Sequence, residues 1–257
     1  MPDDIPEALW RRVRDARERV LMLDFDGTLA PLRARREDAA VPLEVRALLD
    51  RVRDSGRTRL AIVSGRPASE LAERLPGFGV PLFGVHGAEW KLPDGSEARV
   101  PLEEGVESAL ARAAERAHEW AGAAHLERKH GALVLHARHL PPRERDALLD
   151  SCTRAWSPLA RDGALRFGRG AASAELRASA AHKGAAVRAL RELAPAGALG
   201  VFVGDDLTDE DGFEAVRDWG FGVRVGPGTL PTRAQARLPV FEAVPGFLER
   251  WLATTGD

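Results

Sequence analysis

Two aspartates one residue apart, Asp24 and Asp26, stand in the segment Asp24-Phe25-Asp26-Gly27-Thr28-Leu29, at the end of an apolar run. In an extended backbone residues i and i+2 share a face, so both carboxylates turn toward one site. Unless the segment is only a solvated turn with two chance acids, such a pair calls for a cation. A phosphate dianion about 4 Å from a carboxylate costs on the order of 4 kcal/mol per charge pair at an effective dielectric of 20. Magnesium relieves that repulsion, since it prefers hard oxygen ligands, keeps several waters, and uses one or two carboxylates together with a substrate phosphate. A second acidic group, Asp205, Asp206 and Asp209, follows Gly204 late in the chain. Between the two groups come a hydroxyl, Ser64, and an ammonium, Lys183. Taken singly, Ser64 also fits a turn and Lys183 a solvated helix start. Lys183 is nevertheless one of only three lysines among 37 basic residues, and a compact, hydrated point charge is not replaced by the planar fork of arginine.

These groups need elements that bring them together. Residues 19–26 form a short apolar run ending in acids, the pattern of a strand buried on both faces, and the runs Leu60–Val63, Leu82–Val85 and Val201–Val203 repeat it. Stretches between several of them carry apolar residues at helical spacing, as at Val45, Leu48, Leu49 and Val52. The alternation predicts an α/β fold, a Rossmann-like, doubly wound parallel sheet with flanking helices. Open sheets of this kind place ligands at the carboxyl ends of their strands. The ends here are Asp24-Phe25-Asp26-Gly27, Ser64-Gly65-Arg66, His86-Gly87 and Gly204-Asp205-Asp206, so four polar segments converge.

The middle of the chain reads differently. A helical pattern over about 103–121 precedes a hairpin of Leu126–Lys129 with Ala132–Ala137 around His130-Gly131. A second helix over Arg143–Ala160 precedes strands Ala164–Gly168 and Ser173–Arg177, with Gly168-Arg169-Gly170 as the turn. This twice-repeated helix-strand-strand unit predicts an inserted α+β domain at residues 100–178, dividing the α/β domain into residues 1–99 and 179–257.

At roughly 150 residues per domain, 257 residues fit one large domain or two modest ones. With 44% hydrophobic and 30% charged residues and a net charge of −2, the chain is neither disordered nor collagen-like. The absence of a basic run argues against a nucleic-acid partner. The single cysteine, Cys152, forms neither an internal disulfide nor a cysteine metal cluster, and is expected to be an inert core thiol. Met1-Pro2-Asp3-Asp4 is acidic where a secretory signal would be basic, and no apolar run approaches the ~20 residues of a membrane span. The expectation is a cytoplasmic monomer with no membrane partner. His118, His125, His130 and His139 lack metal-ligand spacing and are read as surface or packing residues, and the six tryptophans mostly as packing.

Asp-x-Asp-Gly-Thr-Leu at Asp24 resembles the nucleophile motif of the haloacid dehalogenase-like phosphatases. Ser64, Lys183 and Gly204-Asp205-Asp206 are similar to that superfamily's three further motifs, in the same order. The resemblance narrows at Gly204-Asp205-Asp206-Leu207-Thr208-Asp209-Glu210, which looks like a signature of the trehalose-6-phosphate phosphatases. Ser64-Gly65-Arg66-Pro67, His86-Gly87-Ala88-Glu89, Glu127-Arg128-Lys129, His136-Ala137-Arg138 and Glu175-Leu176-Arg177 support it, and the likeness runs from Leu21 to about Val225. One departure is Ala178-Ser179-Ala180-Ala181, where the family usually has a proline. No glycosyltransferase-like segment precedes the match, so the phosphatase is expected to stand alone.

The resemblance implies that Asp24 attacks phosphorus to form an aspartyl-phosphate, while Asp26 serves as acid and base. Magnesium would be bound by Asp24, the backbone carbonyl of Asp26, and Asp205. Asp206 and Asp209 would back these ligands directly or through water, and Glu210 is left as a structural residue. Ser64 and Lys183 would hold phosphate oxygens. The inserted domain would act as a cap that recognises the sugar. Its alternating Glu127 and Lys129, with His136, Arg138 and Glu175, are the expected substrate contacts, together with Arg66 from the α/β domain. Polar alternation of this kind is also what any half-exposed sheet shows. His86 and Glu89 fall at a strand end near the site, where His86 is equally well a structural residue.

The expected activity is magnesium-dependent hydrolysis of trehalose 6-phosphate, the last step of trehalose biosynthesis. A phosphatase for sucrose phosphate or mannosyl-phosphoglycerate is the alternative within enzymes. Outside them, a signalling receiver module also gathers acids, a hydroxyl and a lysine, but such modules are about half this length and have no second aspartate two residues past the phosphoacceptor.

Overall fold

Alternate residues of the central strands feed two separate apolar clusters, and this builds the larger part of the molecule. The computed structural model describes residues 5–33, 35–122, 125–229 and 231–256; the acidic start at residues 1–4 lies outside them. Strands in chain order are β1 (Arg19–Leu23), β2 (Thr58–Val63), β3 (Leu82–Gly84), β4 (Glu89–Lys91), β5 (Glu97–Arg99), β6 (Leu126–Lys129), β7 (Ala132–His136), β8 (Leu165–Arg169), β9 (Ser173–Ala178), β10 (Leu199–Gly204), β11 (Gly220–Val225) and β12 (Ala236–Leu238). The helices are α1 (Glu7–Asp15), α2 (Leu43–Asp54), α3 (Ala68–Arg74), α4 (Val106–Ala121), α5 (Pro142–Trp156), α6 (Lys183–Leu193), α7 (Glu210–Val216) and α8 (Val244–Thr255). They fall into two compact units, Met1–Ala98 with His182–Asp257, and Arg99–Ala181.

The first unit holds a sheet of order β12-β11-β10-β1-β2-β3-β4-β5. Pairing is parallel from β12 to β3 and antiparallel between β3 and β4. Leu21, Leu23, Ile62, Val201 and Val203 pack in one cluster with Trp10 of α1, Val45 and Leu49 of α2, and Phe247 and Trp251 of α8. Val20, Met22, Ala61, Val63 and Phe202 join the other, with Val187 and Leu190 of α6 and Phe213 and Val216 of α7. Burial on both faces explains why these strands read as continuous apolar runs. The chain winds outward through β2 and β3 on one side of β1 and through β10 and β11 on the other. The ends of β1 and β10 therefore lie where the winding reverses, the ligand position of open α/β sheets.

β11 was not expected from sequence, because Gly220-Phe221-Gly222-Val223-Arg224-Val225 breaks the apolar pattern. Close packing accounts for the glycines: a Cβ at Gly220 would lie 1.6 Å from the Gly200 carbonyl oxygen, and one at Gly222 would lie 2.6 Å from the Phe213 ring.

The second unit is an antiparallel sheet of order β6-β7-β9-β8 with the helices α4 and α5. Leu133, Leu135, Leu176 and Leu165 are buried, as are Leu110, Ala113 and Ala117 of α4 and Leu149, Cys152 and Trp156 of α5. Burial pushes the Cys152 thiol up to about 12, so it packs as an inert apolar group. Several boundaries differ from the sequence reading. α4 begins at Val106, α5 ends at Trp156 and passes into a 3₁₀ turn at Ser157–Ala160, and β7 stops at His136. Gly168 and Arg169 belong to β8, where they pair with Glu175 and Ala174, so the turn lies beyond them.

Candidate active site

The strand ends of the first unit bring four charged side chains into one buried cluster. Asp24 follows β1, and its N–H donates to the Val203 carbonyl of β10 at 2.9 Å, which holds the residue in line with the sheet. Lys183 opens α6, and its Nζ lies 2.7 Å from Asp24 Oδ1 and 2.6 Å from Asp209 Oδ1. Lys183, Asp24 and Asp209 are 2%, 4% and 0% exposed, so these contacts are shielded from water. Asp205 completes the group, and one ligand oxygen from each of Asp24, Asp205 and Asp209 lies within 4.8 Å of the others. Gly27 makes room for it: its φ is +81°, and a Cβ there would fall 2.1 Å from Asp205 Oδ2. No L side chain satisfies both demands.

Burial pushes the Asp24 carboxyl upward, opposed by Lys183 and reinforced by the charges of Asp209 and Asp205. Asp205 is pushed up to about 7, by burial first and Asp209 second. Burial pulls Lys183 down, but the carboxylates of Asp209 and Asp24 together outweigh it and hold the ammonium above its ordinary range. When all are ionised, three carboxylates face one ammonium, an excess of two negative charges that one divalent cation would balance. Asp205 Oδ1 is buried and has no hydrogen-bond partner. An orphaned carboxylate oxygen within an all-oxygen donor set fits a hard divalent cation.

The remaining acids are arranged differently. Asp209 spends both oxygens on protein: Oδ1 on Lys183, and Oδ2 on the N–H groups of Asp205 and Asp206 at 3.0 and 2.9 Å. Asp206 is exposed and caps the turn through its Oδ1, which accepts the Leu207 N–H at 2.7 Å. Asp26 engages its carboxylate with a different partner. Both its oxygens accept from Arg66, Oδ2 from Nε at 2.7 Å and Oδ1 from Nη2 at 2.6 Å. Arg66 also donates to Glu70 and to the Arg36 carbonyl, and it lies over the Phe25 ring. This corrects the expected substrate contact at Arg66: a fully buried guanidinium with these bonds is a clamp on Asp26.

Ser64 follows β2 and is buried; its Oγ accepts the Arg66 N–H at 3.2 Å, which leaves the hydroxyl proton to donate. The neighbouring Val85 and His86 both adopt positive φ, 47° and 57°. For a β-branched valine this is a strained conformation. The His86 N–H donates to the Ser64 carbonyl at 2.8 Å, and a Cβ on Gly65 would lie 2.7 Å from its ring. Thr28 is fully buried, and its Oγ1 has no hydrogen-bond partner.

In the second unit, strand register places Glu127, Lys129, His136 and Glu175 on one face, opposite to that of Leu133, Leu135 and Leu176. Glu127 Oε2 is 2.7 Å from His136 Nε2 and 3.7 Å from Lys129 Nζ. Arg177 shares this face, and its Nε is 3.9 Å from Glu175 Oε2. In sequence it stands within Glu175-Leu176-Arg177 without being named as a contact. Arg138 lies two residues past the end of β7 and is exposed, so it follows the strand rather than sharing its register. Arg224 and Glu210 form an ion pair at 2.7 Å, and Arg224 also reaches the Asp205 carbonyl; Glu210 was read as structural in sequence and Arg224 was not singled out. The available signal was a charge within an otherwise apolar strand, which demands a partner.

A family model described as trehalose-phosphatase matches residues 22–238. The chain is 32% identical over 232 residues to a protein of Sinorhizobium fredii named probable trehalose-phosphate phosphatase, covering 89% of this chain and 85% of that one. It is 33% identical over 230 residues to the trehalose-6-phosphate phosphatase of Escherichia coli, covering 88% and 84%. Among solved structures, the C-terminal domain of the Candida albicans trehalose-6-phosphate phosphatase superposes with a TM-score of 0.81 at 22% identity, over 97% of this chain and 96% of that one. A haloacid dehalogenase-like hydrolase from Bacteroides thetaiotaomicron shares the fold, with a TM-score of 0.63 at 19% identity over 91% and 99%. The sheet with its buried acids is thus of haloacid dehalogenase-like fold, and the chain belongs to the trehalose-phosphatase family.

Proposed function

We propose that this phosphoric monoester hydrolase converts trehalose 6-phosphate to trehalose and inorganic phosphate, the last step of trehalose biosynthesis. The observation that carries this is the burial of Asp24 against Lys183 and Asp205 in a chain matched to the family over residues 22–238. A carboxylate shielded from water beside a fixed ammonium is a competent nucleophile toward a phosphate ester. One Asp24 oxygen attacks phosphorus, the bond from phosphorus to the sugar oxygen breaks, and Asp26 gives its proton to that oxygen. Asp26 then takes a proton from water as the water attacks the aspartyl-phosphate, releasing phosphate and restoring Asp24. Both Asp26 oxygens are held by Arg66, so Asp26 acts on leaving at least one of those bonds. Ser64 and Lys183 hold the non-bridging oxygens.

Asp24, Asp205 and the Asp26 carbonyl would hold magnesium, which when bound offsets the repulsion between these carboxylates and the phosphate. Asp209 orients Lys183 and the Asp205 backbone, and Asp206 caps the turn that carries both. Residues 1–99 and 179–257 form the phosphatase domain, and residues 100–178 the domain that selects the sugar. There Glu127, Lys129, His136 and Glu175, joined by Arg177, would bind the disaccharide hydroxyls. No helix among the described residues is long and apolar enough to cross a membrane, and we place the reaction in the cytoplasm, where a dianionic sugar phosphate is retained. A monomer suffices, because one chain supplies every group named.

The test is phosphate release from trehalose 6-phosphate, sucrose 6-phosphate, glucose 6-phosphate, mannosyl-phosphoglycerate and an aryl phosphate, with magnesium and with chelator. Preference for trehalose 6-phosphate, abolished by chelation, is expected. Preference for another sugar would keep the chemistry and overturn the substrate.

A further inference from the structure

Arg224 is a charge inside β11, every residue of which is buried, and it is itself 4% exposed. A guanidinium in such a place is costly unless paired. Its Nη1 donates to Glu210 Oε1 at 2.7 Å, and its Nη2 to the backbone carbonyl of Asp205 at 3.1 Å. Glu210 also accepts from Thr232 Oγ1 and from the Arg233 N–H, each at 2.7 Å. The pair is thereby fixed from three directions: the strand, the start of α7, and the segment that follows β11.

The effect falls on Asp205. In the sheet register Arg224 stands opposite Gly204, the residue before it. The Asp205 N–H is held by Asp209 at 3.0 Å, and its carbonyl by Arg224. Both peptide groups flanking its Cα are therefore fixed, while its own buried Oδ1 has no partner. A network that immobilises the backbone and leaves one buried carboxylate oxygen unpartnered is built for a ligand.

We propose that Arg224, anchored by Glu210, is a positioning residue that aims the Asp205 carboxylate at a divalent cation. This rests on the reading of Asp24 and Asp205 as metal ligands. The fork of arginine is what the site uses, since two nitrogens of one planar group serve a carboxylate and a carbonyl at once; the single nitrogen of lysine does not reproduce that geometry. Groups that orient metal ligands commonly change metal affinity by ten- to hundredfold when removed. Glu210, the last residue of the acidic motif, thus acts on the metal site through Arg224.

The experiment is a titration with Mn²⁺ alone, without substrate, following the electron paramagnetic resonance signal of the free ion. It compares the unmodified protein with Arg224→Met, Arg224→Lys and Glu210→Gln, and records the melting temperature of each without metal. The expected dissociation constant rises by about tenfold or more in Arg224→Met and by less in Arg224→Lys and Glu210→Gln. Should Arg224→Met not fold, the two conservative variants decide. A purely structural pair would lower the metal-free melting temperature while Mn²⁺ affinity stayed within about twofold of unmodified protein, and that result would overturn the proposal. No Mn²⁺ binding by the unmodified protein would instead overturn the metal reading, and this inference with it.

Discussion

At Asp205, burial and the adjacent charge of Asp209 raise the carboxyl to about 7, and Asp24 is raised as well. The folded, metal-free chain therefore binds these protons more tightly than the unfolded chain does. At Asp205 the stabilising contribution is complete below about pH 4 and is lost as pH rises through about 7, and that of Asp24 is likewise lost as pH rises. We expect the metal-free melting temperature to fall across that range by on the order of 5 °C. Asp205→Asn should remove most of the fall, and magnesium should raise the melting temperature more at pH 8 than at pH 5. A metal-free profile that Asp205→Asn leaves unchanged would contradict the repulsion argued here. At this scale the sequence disclosed Asp24 and Lys183, because motif order and strand ends bring them together. It did not disclose the clamp of Arg66 on Asp26, which spans 40 positions of sequence, nor that Asp209 would spend both oxygens on protein.

Among the elements, the polar face of the β6-β7-β9-β8 sheet carries the specificity argument. Glu127, Lys129, His136, Glu175 and Arg177 share it through register alone, and charged groups suit a ligand rich in hydroxyls. Truncating one charged hydrogen-bond partner removes about 1.5–3 kcal/mol. Glu127→Ala and Lys129→Ala should therefore each lower kcat/KM for trehalose 6-phosphate by about ten- to hundredfold, with aryl phosphate turnover retained. Equal losses on both substrates would remove that face from sugar recognition. Strand alternation made the shared face of Glu127 and Lys129 legible in advance, whereas the end of β7 two residues before Arg138 was not. β11 was hidden for a different reason: its glycines answer to Gly200 and Phe213, and its arginine to Glu210. These partners stand 20, 9 and 14 residues before the residues they explain, outside the strand's own pattern.

Taken whole, the molecule consists of two units whose sequences differ in kind. Runs buried on both faces mark the parallel sheet, and alternating strands mark the antiparallel one, so the fold class was readable from Leu21, Leu60, Leu82 and Val201 onward. What periodicity could not supply was the convergence of groups far apart in the chain. Asp24 and Lys183 are 2.7 Å apart in space, across an insertion of some eighty residues. The central claim is that Asp24 takes the phosphoryl group, and Asp24→Asn tests it while preserving volume. Phosphate release from trehalose 6-phosphate with magnesium should be measured for this variant beside the unmodified enzyme, with melting curves to confirm folding. A loss of about three orders of magnitude or more in kcat is predicted. Turnover within about tenfold of the unmodified enzyme would contradict the account, since an amide at that position has no charge with which to attack phosphorus.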